Sequence, residues 1–251
     1  MNANNERAGG HHPLRWFSNE KEIIEPSILS ERLEISTAIL CPITEFYRHI
    51  VDQFGLNDAD DAPSFNGSLE GKLDEKRAVY LSGVGAPSAG MLLETLIASG
   101  IRKAFMLGYA GSISSKCRIG DLVIPTWGIP EEGTSHHYLE MGARPEASNN
   151  LVQKLIEALD GLKHIQGGVW TTDAPYRETI GKVRGYAGMG AVAVEMECTA
   201  LMSIAMYRKA EFASLLVITD EVFEGEWRQG FDSPSVEKSV TIVCEAVGRR
   251  F

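Results

Sequence analysis

The stretch Ala-Val-Tyr-Leu-Ser-Gly-Val-Gly-Ala-Pro-Ser-Ala-Gly-Met-Leu-Leu-Glu-Thr-Leu-Ile-Ala-Ser-Gly, residues 78–100, decides the fold class. It begins with an apolar run typical of a buried strand, and a glycine-rich turn follows. Met91, Leu92 and Leu96 then fall at helical spacing. Ser88 suits the N-cap of this helix and Gly100 suits its end. A strand, a turn and a capped helix form the βα half of a parallel unit.

The same alternation continues along the chain. The apolar runs predicted as strands are Ile35–Leu40, Ala78–Ser82, Lys103–Leu107, Asp121–Pro125, Gln166–Thr171, Ala191–Val194 and Ser214–Thr219. The segments predicted as helices are Ser88–Ser99, Asn149–Leu159, Cys198–Tyr207 and Ser235–Val247. This repetition predicts an α/β fold, in which helices cover both faces of a mostly parallel sheet.

Length favours one domain. A chain of 251 residues fits one large α/β domain, and no linker or internal repeat divides it. We interpret residues 31–251 as a single domain and residues 1–30 as an extended N-terminal arm, packed on the body or on a neighbouring subunit. The polar stretch 57–76 is placed in a surface hairpin or loop.

Charge and cysteine spacing exclude several classes of partner. The chain has 24 Lys and Arg against 34 Asp and Glu and no basic cluster, so a nucleic acid polymer is not an expected partner. The cysteines are widely spaced, and the adjacent His136 and His137 would point to opposite faces of a strand, so no metal site is predicted. The lack of a long apolar run and of a signal-peptide core predicts no membrane partner and a cytoplasmic location.

Two glycine-rich turns are candidate ligand contacts. Gly83–Ala89 would present backbone N–H groups to an anion at a helix N-terminus, although a structural tight turn explains it equally well. It matches a dinucleotide-binding fingerprint only in part, because Ser88 stands in place of the third glycine and no acidic partner follows. Gly108–Ser112 ends a predicted strand, where small residues would let a flat base approach; a plain turn is the alternative.

Two acidic residues follow apolar strands. Glu197, after Ala193–Met196, would be partly buried and can accept hydrogen bonds from a vicinal diol such as the ribose hydroxyls. The alternative is a solvated helix start. Asp220 ends the apolar run Leu215–Thr219, where partial desolvation raises the pKa of a carboxyl group and suits a general acid. Its alternative role is an N-cap.

Together these stretches resemble the nucleoside phosphorylase and nucleosidase family, which includes purine nucleoside phosphorylase, uridine phosphorylase, AMP nucleosidase and methylthioadenosine nucleosidase. The landmarks, in family order, are Gly83–Ser88, Gly108–Gly111, Ile119–Asp121, Glu132–Ser135, Thr171–Asp173, Val194–Glu197 and Thr219–Asp220. The resemblance implies a three-layer α/β/α sandwich around a mixed, partly closed central sheet, assembled as a homo-oligomer.

The resemblance also implies a role for individual residues. Glu197 would bind the ribose hydroxyls and Met196 would pack against the sugar. The residues that would line the base are Ala110, Gly111, Tyr176 and Arg177. Asp220 matches the acid that protonates N7 of a purine, which favours a purine because uridine phosphorylases generally lack an Asp there.

The nucleophile region departs from the phosphorolytic members. They carry a Gly-Asp-Pro-x-Arg turn where this chain has Leu40–Glu45, an Arg at the place of Met106, and Ser or Thr at the place of Tyr109. Without those donors, a phosphate bound in this region, beside Gly85, would be poorly neutralised. Hydrolytic members instead use a Glu near the end of the first strand to activate water, and Glu45 lies close to that place.

We therefore expect hydrolysis of a purine nucleoside or nucleotide, in which Glu45 positions water and Asp220 protonates the base. True phosphorolysis of a purine nucleoside or uridine stays open, with phosphate as co-substrate, because Arg48 or an Arg of a neighbouring subunit could complete a phosphate site. No cofactor is expected. Two other classes also stay open: a catalytically silent nucleoside-binding protein and a dinucleotide-dependent oxidoreductase.

Overall fold

The computed structural model describes residues 17–251 apart from positions 19 and 141. Its strands are β1 (Thr37–Cys41), β2 (Ser68–Leu73), β3 (Arg77–Ser82), β4 (Lys103–Ser112), β5 (Leu122–Pro130), β6 (Ile165–Thr171), β7 (Ala191–Glu195), β8 (Glu211–Glu221) and β9 (Arg228–Gln229). Its α-helices are α1 (Thr44–Gln53), α2 (Ala86–Ala98), α3 (Asn149–Ala158), α4 (Ile180–Gly188), α5 (Cys198–Arg208) and α6 (Pro234–Arg250). Short 3-10 helices lie at Pro26–Leu29, Thr134–His137 and Pro175–Arg177.

The strands form one mixed sheet that partly closes on itself. Their order is β2-β3-β1-β4-β7-β6-β5-β8-β9, and β8 also pairs with β4. Strands β4, β7, β6, β5 and β8 therefore make a closed ring, from which β1, β3 and β2 extend as an open sheet. Within the ring β7 is antiparallel to β4, and β5 is antiparallel to β8. The predicted mixed, partly closed sheet is confirmed.

Helices cover the sheet in two groups. Helix α2 packs on α5, whereas α1 and α3 both pack on α6. Buried side chains of the sheet and of both groups join in one large apolar core. Burial of this apolar surface is the main stabilising contribution expected for a chain of this size.

The start of α2 differs from the sequence prediction. The N-cap is Gly85, with φ of 98°, and Ser88 lies inside the first turn of the helix. Pro87 explains the earlier start, because proline has no N–H to leave unsatisfied and its fixed φ suits the first helical positions. The predicted end is confirmed, since Gly100 follows the helix with φ of 115°.

The polar stretch 57–76 contains β2, which pairs antiparallel with β3, so a hairpin is present there. The predicted arm lies mostly outside the described residues, because positions 1–16 are not among them. In its described part, Glu22 makes an ion pair with Arg208 at the end of α5, with 2.9 Å between Oε1 and Nη2. The division into residues 1–30 and 31–251 stays a prediction.

Within residues 17–251, apart from 19 and 141, none of the helices is long and apolar enough to cross a membrane. The same residues contain no group of three or more His, Cys, Asp or Glu side chains arranged to hold a metal ion.

Candidate active site

The glycine-rich end of β4 is the frame of the candidate site. Gly111 pairs with Val194 of β7 on one side and with Asp220 of β8 on the other. Neighbouring strands lie about 5 Å apart, so Asp220 and the β7–α5 junction flank the same residue of β4. The acidic ends of the two strands, far apart in sequence, are thus brought to one place.

The absence of a side chain at Gly111 favours this arrangement. A Cβ atom at this position would lie 3.0 Å from Oδ2 of Asp220 and 3.2 Å from Cγ1 of Val194. Both distances are shorter than ordinary contacts between such atoms. The missing side chain therefore lets the Asp220 carboxylate lie directly over the β4 backbone.

Asp220 is half-buried, and a donor reaches each of its oxygens. The Thr219 hydroxyl donates to Oδ1 at 3.0 Å, and the indole N–H of Trp227 donates to Oδ2 at 2.9 Å. Burial raises the pKa of Asp220 above its usual value, and the two hydrogen bonds oppose this by favouring the charged form. An acid with a raised pKa fits the general-acid role predicted for this residue.

A second carboxyl group, Glu178, lies beside Asp220. Burial, followed by the negative charges of Asp220 and Glu131, raises the pKa of Glu178 to about 7, and Lys182 opposes this rise. Sequence reasoning missed Glu178, because a single Glu in a polar loop looks like any solvated residue. Its position directly after Tyr176 and Arg177, which were predicted to close the base site, was the one available clue.

Glu195 organises the β7–α5 junction. Its Oε2 accepts hydrogen bonds from the backbone N–H groups of Glu197, at 2.7 Å, and Cys198, at 2.6 Å. Its Oε1 accepts one from the Thr171 hydroxyl at 2.5 Å. Glu195 therefore satisfies free N–H groups at the start of α5 and fixes the backbone that presents Glu197.

Glu197 is a buried carboxyl group beside the other glycine-rich turn. It is 4% exposed, and its Oε1 accepts a hydrogen bond from the backbone N–H of Gly85 at 2.6 Å. Burial and, after it, the negative charge of Glu195 raise its pKa to about 8. Met196, predicted to pack against the sugar, lies between Glu195 and Glu197 in the sequence, and its side chain is half-buried. The structure thus brings the Gly83–Gly85 turn to Glu197.

The predicted nucleophile residues lie next along β4. Met106 is 1% exposed inside the strand. Tyr109 is half-buried, with its ring centroid 5.7 Å from that of Phe46 in α1. Burial raises the pKa of Tyr109, and the negative charge of Glu45, exposed in the first turn of α1, raises it further. The structure therefore places Glu45 and Tyr109 together, two residues along β4 from Gly111.

Some of the residues predicted to line the base are buried in β4, and the others are exposed on a 3-10 helix. Ala110, beside Gly111, is 4% exposed, and its carbonyl accepts a hydrogen bond from Thr219 at 3.5 Å. Tyr176 is fully exposed, and Arg177 is exposed as well, on the 3-10 helix that leads to Glu178. Closure of Tyr176 and Arg177 over a base stays a prediction.

A cleft of about 390 Å³ lies on a neighbouring face. Its lining includes Arg118, Arg228 and the buried Glu221, which accepts from Arg118 at 3.0 Å between Oε2 and Nη1. Neither Asp220 nor Glu197 is among the residues that line it. The cleft is therefore a feature separate from the site around Gly111.

Residues 37–248 match the phosphorylase superfamily. The chain belongs to this family. A DeoD-type purine nucleoside phosphorylase of Bacillus cereus (strain ZK / E33L) is 30% identical over 166 residues, which are 64% of this chain and 69% of that protein. The DeoD-type purine nucleoside phosphorylase of Bacillus thuringiensis (strain Al Hakam) has the same identity and coverage.

Among solved structures, the purine nucleoside phosphorylase of Toxoplasma gondii in complex with immucillin-H is similar to this chain. The TM-score is 0.73 at 17% identity, over 90% of this chain and 94% of the other. At this identity the likeness shows a common fold. Membership of the phosphorylase superfamily makes the chain an N-glycosidic bond-cleaving enzyme, which confirms the class predicted from the resemblance.

One landmark of the superfamily resemblance has a structural role here. Glu132 is 1% exposed and accepts hydrogen bonds from the Thr199 hydroxyl at 2.9 Å and from the backbone N–H of Ser135 at 3.0 Å. The hydroxyl oxygen of Ser135 in turn lies at hydrogen-bond distance, 3.0 Å, from that of Ser203. This buried network joins the 3-10 helix after β5 to α5, and its carboxylate is satisfied within the protein.

Proposed function

We propose that this enzyme cleaves the N-glycosidic bond of purine nucleosides or nucleotides, with Asp220 as general acid and Glu197 as the ribose-binding group. The observation that carries the proposal is the pairing of Gly111 with Val194 on one side and Asp220 on the other. Asp220 lies on one side of Gly111, and the strand that leads to Glu197 lies on the other. A nucleoside has a base at one end and a diol at the other, which matches this arrangement.

The chemistry follows from where charge develops. As the bond between the anomeric carbon and the base nitrogen breaks, its electrons leave with the base and the sugar becomes oxocarbenium-like. A proton from the Asp220 carboxyl to N7 of the purine neutralises the departing base. Burial raises the pKa of Asp220, which keeps more of the acid form at neutral pH.

The role proposed for Glu197 uses its ionised form. A carboxylate accepts two hydrogen bonds, one from each hydroxyl of a ribose diol. In the structure the N–H of Gly85 occupies Oε1. A ribose hydroxyl would compete with this backbone donor, and its displacement would free the Gly85 N–H, at the N-terminus of α2, for an anion or a water molecule.

Hydrolysis is favoured over phosphorolysis by the side chains beside β4. The place of one phosphate-binding Arg is taken by the buried thioether of Met106, and the place of a hydroxyl donor by Tyr109. Glu45 adds a negative charge next to Tyr109, which repels a phosphate dianion and suits activation of water. Water attack at the anomeric carbon would release free ribose.

Phosphorolysis is the second candidate, favoured by the names of the relatives. Both Bacillus proteins described above are purine nucleoside phosphorylases, which also supports a purine as the base. With phosphate as co-substrate, the product would be ribose 1-phosphate. No cofactor is part of either proposal.

Homo-oligomerisation and a cytoplasmic location are also part of the proposal. Ile23, Ile24 and Ile28 are 98%, 74% and 71% exposed near the Pro26–Leu29 3-10 helix, a clustering that favours contact with another copy. The cysteines at 41, 117, 198 and 244 are free thiols, as is usual in a reducing compartment. Light scattering of the purified protein tests the first point: a mass of one chain would refute it.

The product assay tests the main proposal. The enzyme is incubated with inosine and with adenosine, with and without inorganic phosphate, and the free base, ribose and ribose 1-phosphate are quantified. Equal rates of ribose release without phosphate support hydrolysis. Strict phosphate dependence supports phosphorolysis, and tight purine binding without release of base in any buffer would support the silent binding protein.

A further inference from the structure

Trp227 is an exposed aromatic residue attached to the proposed acid. Its side chain is 60% exposed and lies in the turn between β8 and β9. Its indole N–H donates to Oδ2 of Asp220 at 2.9 Å. The hydrogen bond joins an exposed side chain to a half-buried carboxylate.

The two donors on Asp220 are held very differently. Thr219 is 1% exposed within β8, and its hydroxyl is fixed by the strand. Trp227 comes from a surface turn, where a small movement of the chain removes the indole from Oδ2. Oδ2 is also the oxygen that lies over Gly111, at 3.0 Å from the position of a Cβ there.

Proton transfer requires one oxygen of Asp220 to be available. A carboxyl group that gives its proton to a base must have that oxygen directed at the base nitrogen. The buried Thr219 hydroxyl donates to Oδ1, so we take Oδ2, to which the exposed indole N–H of Trp227 donates, as the oxygen that gives up the proton. A base nitrogen that receives this proton would approach the oxygen to which the indole N–H donates, so the base and the indole compete for the space beside Oδ2.

From this geometry we infer that Trp227 is a positioning residue for Asp220: its indole N–H holds Oδ2 over Gly111, and the base of an incoming nucleoside takes its place. The inference rests on the proposed function, because it assumes that Asp220 is the acid. The indole then fixes the direction of the carboxylate before the base arrives. Trp227 acts through Asp220 and takes no part in the bond change itself.

The charged groups that face Asp220 come from the side of Glu178. Glu178 faces it from the link between the Pro175–Arg177 3-10 helix and α4, with Glu131, directly after β5, and Lys182 of α4 behind it. The turn that contains Trp227 also packs against the start of α4, because a Cβ at Gly225 would lie 3.6 Å from Cδ1 of Ile180.

The next carboxyl group along β8, Glu221, is neutralised by two arginines. Its Oε2 lies 3.0 Å from Nη1 of Arg118 and 3.5 Å from Nη1 of Arg228. Glu178 is therefore the group whose titration overlaps that of Asp220, and the pH experiment needs a Glu178→Gln background as a control.

The sign of the expected pH effect follows from the hydrogen bond. The indole N–H favours the charged form of Asp220 and so lowers the pKa of this carboxyl group against the effect of burial. In Trp227→Phe the pKa of Asp220 rises, by about one unit for the loss of one hydrogen bond to a charged group. Since the acid must be protonated to act, the alkaline limb of the pH profile of kcat/KM moves to higher pH.

The profile of kcat distinguishes positioning from a general structural effect. The ratio kcat/KM reports groups in the free enzyme, and kcat reports groups in the enzyme–substrate complex. If the base has already displaced the indole, the limb of kcat stays where it is in Trp227→Phe. Trp227→His restores an N–H donor and is expected to restore the original limb. Phe231→Leu changes a neighbouring ring, 6.5 Å from that of Trp227, and should move neither limb.

The experiment measures both pH profiles for the wild type and these variants, with inosine as substrate. A shift of kcat/KM alone in Trp227→Phe, reversed in Trp227→His, supports the inference. Unchanged profiles, or an equal shift of both limbs, would overturn it, because the indole would then be irrelevant or would stay on Asp220 in the complex.

A fluorescence titration separates failure of this inference from failure of the proposed function. Indole emission is followed against pH as the difference between wild type and Trp227→Phe, without substrate, and is compared with Asp220→Asn. A transition present in the wild type and absent from Asp220→Asn supports the linkage even if no nucleoside is cleaved. Its absence from the wild type would overturn the linkage whatever the activity.

Discussion

Replacement of Glu197 by Gln is expected to stabilise the fold above neutral pH and impair the reaction. The change keeps the shape of the side chain and an oxygen that can accept from the Gly85 N–H, but removes the charge. Burial and Glu195 raise the pKa of Glu197 from 4.5 to about 8, so the folded protein binds this proton more tightly than the unfolded chain. Stability is then fully present below pH 4.5 and is lost as the pH rises toward 8.

The size of the effect follows from the pKa shift. From 4.5 to about 8 is 3.5 units, and each unit is worth about 1.4 kcal/mol, so an ionised Glu197 costs up to about 5 kcal/mol above pH 8. Between pH 5 and pH 8 the difference in unfolding free energy between variant and wild type should grow by about 3.5 kcal/mol. The amide N–H₂ of Gln adds a cost of about 1–3 kcal/mol, but this cost is the same at every pH and leaves the slope unchanged.

Urea unfolding at several pH values between 5 and 8 measures this slope. The comparison variant is Glu195→Gln, which replaces one of two acceptor oxygens facing three donors with an N–H₂ group and should destabilise the protein by about 2 kcal/mol or more. A difference for Glu197→Gln that stays flat with pH would refute the reasoning. In activity, Glu197→Gln should lose about 10- to 100-fold in kcat/KM, the cost of one hydrogen bond to a charged group.

Three further predictions concern the acid and two glycines. Asp220→Asn should lower purine cleavage by about 10²- to 10⁴-fold while the melting temperature changes little, and wild-type rates in this variant would remove Asp220 from the mechanism. Gly111→Ala should displace the Asp220 carboxylate or Val194, with a loss in kcat larger than any rise in KM; unchanged kcat in steady-state assays would contradict the close approach seen in the structure. Gly168→Ala would place a Cβ 2.4 Å from the ring of Trp127, and the overpacking should lower the unfolding free energy by about 1–3 kcal/mol; urea curves equal to wild type would show that the ring moves without cost.

The elements that the sequence predicted well are those with a strong local signal. The strand, turn and helix around Ala78–Gly100 carry an apolar run, glycines and helical spacing in immediate succession, and their order was right. The bounds of other strands were predicted less accurately. Strands β4, β5 and β8 continue beyond their apolar runs, because pairing with neighbouring strands extends them through polar and small residues. Helix α4 was missed because its glycines weaken the apolar repeat. Helix α1 was missed although its buried Phe46, Tyr47, Ile50 and Val51 do fall at helical spacing.

In the site, residues were predictable where a motif is local, and contacts were not. Asp220 and Glu197 stand out because acids follow apolar strands. The hydrogen bond between Gly85 and Glu197 joins residues that are 112 positions apart, so no local pattern reveals it. The same holds for Glu178 and Trp227 beside Asp220, which depend on how α4 and the β8–β9 turn pack at the mouth of the ring.

A crystal structure with a bound purine nucleoside tests the central claim most directly. We expect one molecule to contact both acids, with N7 of the purine within hydrogen-bond distance of Asp220 and the ribose O2′ or O3′ within that distance of Glu197. A nucleoside bound elsewhere, for example in the cleft of Arg118 and Arg228, with both carboxyl groups untouched, would contradict the account.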